Sequence, residues 1–190
     1  MVLARKYRPK VIADIIGQPA IVQTISNAFT RNKLHHAYLF SGNLGCGKPS
    51  TAKILAAMEN CLVSPGLTPC GQCSVCKKIF EGKHADVAEI DAASQAGKVK
   101  EIRELKNAAS FSPIEGAKTK YFIIDESANM SSDAAESLLK LIEEPPAHVR
   151  FVLCTTNLEA MIPTIRSRCQ THIFRKIYWR QIVETLEKIC

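Results

Sequence analysis

The chain has 190 residues, 46% of them hydrophobic and 23% charged, with 25 Lys and Arg against 18 Asp and Glu. This is the balance of an ordinary soluble globular protein, long enough for one large domain, or for one domain and part of a second. No run of 18 apolar residues exists to span a membrane, and the basic start MVLARKYRPK lacks the apolar stretch of a secretory signal. The expected setting is therefore inside the cell, where eight cysteines point to metal or catalysis more than to disulfides. The net charge of +7 suits anionic partners such as nucleotides or nucleic acid, and serves equally as a plain solubility charge. An aromatic content of 6% offers little support for a base-stacking platform.

A basic, proline-containing stretch leads into a helical pattern around IVQTISNAFTRN, and HAYLFSG reads as a short buried strand ending in glycine. GNLGCGKPS follows at 42–50. The next segment, STAKILAAMENC, sets Ile54, Leu55 and Met58 on one helix face. A cysteine-rich insert runs from Cys61 to Cys76. Beyond it, DVAEIDA reads as a second strand, VKEIRELKNAA as a basic amphipathic helix, and TKYFIIDE as a strongly apolar strand ending in Asp125 and Glu126. SSDAAESLLKLIEE begins with the capping residues Ser131 and Ser132 and stops before Pro145 and Pro146. VRFVLCTTN is a further strand, and IYWRQIVETLEKIC begins a last helix. Strands alternating with helices imply a mainly parallel sheet covered on both faces.

Gly42, Gly47 and Lys48 fit the phosphate-binding pattern G-x-x-x-x-G-K-[ST], in the strand–loop–helix setting which that pattern requires. Backbone N–H groups from Gly42, Asn43, Gly45, Cys46 and Gly47 are expected to cradle phosphate, with Lys48 reaching the terminal phosphates as a point charge. Asp125 and Glu126, ending the strand expected next door, are placed to hold magnesium and to orient an attacking water. The pattern breaks at Pro49, where a hydroxyl should grip magnesium. Proline is sterically welcome in a helix's first turn, so the helix is expected to form, but a backbone donor and a metal ligand are lost. Ser50, about 100° further round the helix, cannot take over the same ligand position. Weakened magnesium–nucleotide binding and slow or absent hydrolysis are expected.

Cys61, Cys70, Cys73 and Cys76 have the spacing C-x8-C-x2-C-x2-C, with a Gly71 turn that lets the chain double back. Four thiolates this close suit one structural, tetrahedral zinc ion, with free thiols or a redox pair as the other reading. Cys46, Cys154, Cys169 and Cys190 lack such spacing and read as buried or incidental.

ARKYRPKVIADIIGQ, HAYLFSGNLGCGK, the four-cysteine insert, EIDAAS, IIDE, LLKLIEEPPAHVRFVLCTTN and PTIRSRCQTHIF together resemble the gamma/tau subunits of bacterial DNA polymerase III, clamp-loader ATPases of the AAA+ superfamily. The likeness runs from about Leu3 to Arg175. The insert together with LIEEPP and SRC separates this family from other AAA+ proteins such as branch-migration helicases. The resemblance implies an AAA+ P-loop fold, a three-layer αβα sandwich over residues 1–176 with the zinc insert at 61–76, and the first helix of a lid domain over 177–190. It also implies an ATP- and magnesium-using motor of the bacterial cytoplasm. That motor loads a sliding clamp onto primed DNA in company with delta, delta-prime and further gamma/tau subunits.

Carried over by position, Gly42 to Lys48 match the phosphate loop, with Pro49 and Ser50 next to it. Asp125 and Glu126 match the metal-binding and water-activating acids, Thr156 the sensor of the terminal phosphate, and Arg168 an arginine finger acting on a neighbour's site. Tyr7, Arg8, Gly17 and Gln18 fall where the family contacts adenine. Lys98, Lys100 and Arg103 lie on the basic helix, read as a solvated face in preference to a DNA contact. Departures are Pro49, the stretch SANMS where the family has a sequence like VHMLS, and an end at Cys190 just inside the lid. A zinc-stabilised scaffold resembling delta-prime, binding partner subunits or DNA without using nucleotide, is the alternative expectation.

Overall fold

The computed structural model describes residues 7–93, 99–114 and 116–187, without the side chains of 99–103. Lys98 and Cys190 lie outside the described residues, as do the side chains of Lys100 and Arg103. In chain order the elements are helix α1 (Pro19–Thr30), strand β1 (Ala37–Gly42), α2 (Lys48–Asn60), α3 (Ser74–Glu81), β2 (Val87–Asp91), α4 (Val99–Ser110), β3 (Lys120–Asp125), α5 (Ser132–Glu143), β4 (Val149–Thr155), α6 (Pro163–Arg166), β5 (Gln170–Phe174) and α7 (Trp179–Glu187). Short 3₁₀ turns occupy Ile12–Asp14 and Ser127–Asn129.

The five strands form one sheet in the order β2-β3-β4-β1-β5, and every neighbouring pair is parallel. Parallel pairing needs a crossover between successive strands, and the helices supply it on both faces. Strand side chains alternate between faces. Tyr38, Phe40, Tyr121, Ile123, Val152 and Cys154 join one core with α2 and the insert. Leu39, Phe122, Ile124, Phe151 and Leu153 join the other with α5 and Ile165 of α6. The chain is thus a three-layer α/β sandwich, as the sequence leads one to expect. None of its described helices is long and apolar enough to cross a membrane.

Two readings are corrected, and two elements are added. Strand β3, bearing Asp125, does not lie next to β1, because β4 pairs with both and separates them. Helix α2 is buried all round and not on one face, since it packs on β1, β3 and β4 below and on α3 and the 12–14 turn above. Strand β5 escapes the pattern reading of QTHIF, because at the sheet edge it buries only His172 and Phe174. The insert also contains a helix, α3, with Cys76 on its first turn. Helix α7, by contrast, buries no side chain, and leaves Trp179, Ile182 and Leu186 exposed.

Asn60, the last residue of α2, fastens that helix to the start of β3. Its amide nitrogen donates to the Thr119 carbonyl at 2.9 Å, and its oxygen accepts from the Lys118 and Thr119 N–H groups at 2.8 and 2.9 Å. The residue is 1% exposed, so water has no access to replace these bonds. Asn60→Ala is expected to lower stability by about 1–3 kcal/mol through the polar groups it strands. Urea denaturation should show a lower midpoint at an unchanged slope.

Candidate functional site

Because all strands run the same way, their C-terminal ends share one edge of the sheet, which is where open α/β sheets receive ligands. The loop between β1 and α2 starts at Gly42. A Cβ there would run into the Phe174 carbonyl of β5, so only glycine permits this closeness. Gly47, at φ 98°, is the N-cap of α2, and a Cβ on either Gly45 or Gly47 would meet nothing within 4 Å. The loop is therefore open on the side that a ligand would approach. The Cys46 thiol is buried and turns inward, donating to the Asn43 carbonyl at 2.8 Å, while Leu44 is exposed at the loop's tip.

Lys48 begins α2 and is only 3% exposed. Its ammonium donates to the Gly42 and Asn43 carbonyls at 2.7 and 3.0 Å, and so is satisfied by the loop itself. Pro49 sits inside the first turn of an intact helix, as expected from its fixed φ. The Thr51 hydroxyl is occupied, donating to the Gly47 carbonyl at 2.9 Å, and Ser50 is half-buried.

Asp125 ends β3 at the same edge. Burial raises its carboxyl above the usual range. The Glu126 N–H bond and the Lys48 charge act against this rise, and the Glu126 and Asp91 charges add to it. Asp91 ends β2 in register with Asp125 and makes a third acid here, one the sequence reading did not assign although its strand ends in Asp just as β3 does. Glu126 has φ 47°, ψ 42°, a left-handed conformation that costs a residue with a side chain on the order of 1–3 kcal/mol. The Ser127 hydroxyl holds this turn by donating to the Cys154 carbonyl at 2.9 Å.

The two threonines of CTTN divide their roles. Thr155 is buried, its hydroxyl bonded to the Asn157 backbone at 3.0 Å on both sides. Thr156 is exposed, and its hydroxyl donates to a Glu126 carboxylate oxygen at 3.1 Å. Lys48, Asp125, Glu126 and Thr156 are thus gathered at one edge. Arg168 is elsewhere: it precedes β5, at the opposite edge, where it pairs with Glu143 at 2.8 Å and donates to the Thr164 carbonyl at 2.9 Å.

Gln18, Gly17, Arg8 and Tyr7 have different surroundings. Gln18 is 3% exposed and clamps Arg175 with two bonds, donating to its carbonyl at 2.7 Å and accepting from its N–H at 2.9 Å. Gly17 faces Ile177 and Gln181 at the start of the last helix. Tyr7 is exposed, and Arg8 lines a separate groove beside the insert.

The Sγ atoms of Cys61, Cys70, Cys73 and Cys76 all lie within 4.8 Å of one another, a separation that fits four thiolates on one tetrahedral ion. Backbone N–H groups of Ser64, Cys70, Gln72, Cys73 and Cys76 point at these sulfurs at 3.3–3.5 Å. Burial opposes the Cys61 thiolate, but the Cys70, Ser64 and Val63 N–H groups outweigh it and bring the thiol down to about 6. Cys73 is lowered in the same way, whereas burial and the neighbouring sulfurs raise Cys76. Gly71 turns the chain with φ 66°. Such a donor set suits a closed structural zinc site and leaves no open position for catalysis.

The raised Asp125 carboxyl makes a stability prediction with a definite sign. The folded state holds this proton more tightly than the unfolded chain, so stability falls as pH rises from the ordinary carboxylate range to the folded value. Above that value the penalty is constant. Asp125→Asn keeps an oxygen for the Glu126 N–H and removes the penalty. It should raise the melting temperature at pH 8, with the gain vanishing below about pH 4.

Residues 17–178 match the family described as DNA polymerase III, delta subunit. The chain is 43% identical over 188 residues to DNA polymerase III subunit tau/gamma of Haemophilus influenzae, covering 99% of this chain and 27% of that protein. It is 44% identical over 187 residues to subunit tau of Bacillus subtilis, covering 98% of this chain and 33% of that protein. Against subunit gamma of Buchnera aphidicola it is 43% identical over 188 residues, covering 99% of this chain and 50% of that protein. The chain thus spans half the length of these relatives or less. Among solved structures, a DNA polymerase III gamma subunit-related protein of Thermotoga maritima superposes with a TM-score of 0.59 at 21% identity, covering 87% of this chain and 49% of that one. The RuvB Holliday junction branch migration motor of the same organism gives 0.61 at 19% identity, covering 95% of this chain and 53% of that one. At these identities the likeness is one of fold, a parallel sheet with helices on both faces. The chain belongs to the DNA polymerase III subunit family matched by residues 17–178, and over nearly its whole length it resembles the tau/gamma subunits.

Proposed function

We propose that the chain is an ATP-binding subunit of a bacterial clamp loader, which acts in the cytoplasm with delta, delta-prime and further gamma/tau subunits to place a sliding clamp on primed DNA. The observation that supports it is the meeting of a glycine-rich loop, Lys48, Asp125, Glu126 and Thr156 at one sheet edge. In this reading the loop amides and Lys48 bind the phosphates. Asp125 offers the carboxylate for magnesium, which when bound neutralises charge on the phosphates. Glu126 orients the attacking water and accepts its proton, and Thr156 fixes the Glu126 carboxylate. Tyr7, Arg8, Gly17 and Gln18 belong to the adenine side, where the buried Gln18 acts by holding the chain to Arg175. Residues 177–190 open the lid, and the exposed apolar face of α7 suits packing against more of that lid.

Arg168 serves a neighbour's site in this reading. Gln170 lies beside Tyr38 and Phe174 beside Gly42, so four residues, about 13 Å, separate the start of β5 from the chain's own loop. A guanidinium held by Glu143 at that far edge suits action on an adjoining chain.

Pro49 weakens magnesium-dependent turnover without disturbing the helix. Pro49→Thr should raise ATP turnover roughly tenfold or more, since a metal ligand and an amide return together, and equal rates would refute the assigned defect. A nucleotide at 100 times its dissociation constant should stabilise the chain by about 2.7 kcal/mol, visible as a thermal shift. The scaffold reading, resembling delta-prime, is favoured by the same proline and by Lys48 being satisfied within the loop. It predicts no nucleotide-dependent shift with or without magnesium. The four-cysteine cluster is assigned a structural zinc ion. Metal analysis of freshly purified protein should find about one equivalent, and less than half an equivalent would count against it.

A further inference from the structure

Helix α5 ends on two acids, Glu143 as its last residue and Glu144 as its C-cap, just before Pro145 and Pro146. The helix dipole is negative at that end, so carboxylates there do not serve the helix itself. Helix α6 packs against α5, ends on Arg166, and is followed by Arg168. Of these four charges only one pair forms. Arg168 Nη2 lies 2.8 Å from Glu143 Oε1, whereas Glu144 and Arg166 form no ion pair among the described residues.

The Arg168 guanidinium is restrained on one side. Its Nη1 donates to the Thr164 carbonyl at 2.9 Å and to the Ser167 hydroxyl at 3.4 Å, and its Nη2 meets Glu143. Its Nε–H has no partner among the described residues. The two paired side chains stay 40% and 38% exposed. Water screens a pair this open, so it adds little to stability. What it supplies is order. An unrestrained arginine loses its rotamer freedom when it meets a phosphate, and one already held has less to lose.

We infer that Glu143 is a positioning residue, which holds the Arg168 guanidinium ready for the phosphates of a nucleotide on an adjoining chain. This rests on the trans role proposed for Arg168 and adds the residue that prepares it. Glu143 acts through Arg168 alone. The other use of such a pair is a lock, in which Glu143 keeps Arg168 away from phosphate and its loss speeds turnover. A single carboxylate contact on an exposed guanidinium fixes direction without hiding the charge, which favours the brace over the lock.

ATP turnover of a clamp loader reconstituted from this chain, delta, delta-prime and a hydrolysing gamma/tau relative tests it. Arg168→Ala should lower turnover roughly tenfold or more. An unchanged rate, or a chain that does not join the assembly, defeats the trans role and the inference with it. Glu143→Gln should lower kcat roughly two- to tenfold at an unchanged KM, the cost of ordering one long side chain during the reaction. Glu143→Asp, which keeps the charge, should recover part of that loss, and Glu144→Gln should stay within about twofold of wild type. In the Arg168→Ala background Glu143→Gln should change nothing further. A Glu143→Gln rate equal to or above wild type, an equal loss from Glu144→Gln, or a full further loss in the Arg168→Ala background overturns the positioning role and leaves the trans role standing. A Glu143→Gln chain that unfolds earlier or fails to co-sediment with its partners marks a structural role and overturns it too.

Discussion

Gly42 carries no side chain, and the carbonyl of Phe174 lies where one would be. This contact lets β1 end against β5 and turn at once into the phosphate loop. Gln18 secures the neighbouring stretch by bonding both backbone groups of Arg175. The leading segment, the loop and the end of β5 therefore form one block, and α2 enters the core from it with its axis fixed. The positions of Lys48 and Pro49 follow from that block, and the acids reach the same edge because β3 and β4 run parallel to β1.

The site concentrates unfavourable terms that the core offsets. Asp91 and Asp125 lie side by side in register, Glu126 follows in a left-handed conformation, and burial presses the Asp125 proton to stay. Among the described residues the Lys48 charge acts on Asp125, and its ammonium also bonds loop carbonyls. Ser127 ties the acid turn to β4, and Thr156 restrains the Glu126 carboxylate. The same groups that strain the fold are those to which the proposed function assigns the chemistry. The cysteine knuckle is the opposite case: five N–H groups already face its sulfurs, so charge gathered there is welcomed by the backbone.

Much of this was legible in the residues. Strands β1, β3 and β4 are apolar runs with few rivals, β2 shows as a short strand in DVAEIDA, the loop has its glycines at fixed offsets, and the cysteines have ligand spacing. The edge strand was not legible from pattern, because half of QTHIF faces outward and its inner face holds a histidine. Nor was the strand order, since nothing local to TKYFIIDE says that β4 comes between it and β1. Gln18 was assigned to adenine by resemblance, and its bonds to Arg175, 157 residues away, have no signature in sequence. The Arg168–Glu143 pair is equally hidden, because SRC and LIEEPP meet only once α5 and α6 have packed.

Pro49 has a consequence for how the molecule tolerates change. Its ring suits the first helical turn so well that folding gives no sign of what was given up. A cell's surveillance of misfolded chains acts on exposed core and lost stability, and this substitution produces neither. On the proposed reading, the metal ligand given up at this position leaves the helix intact, so its loss is silent to proteostasis.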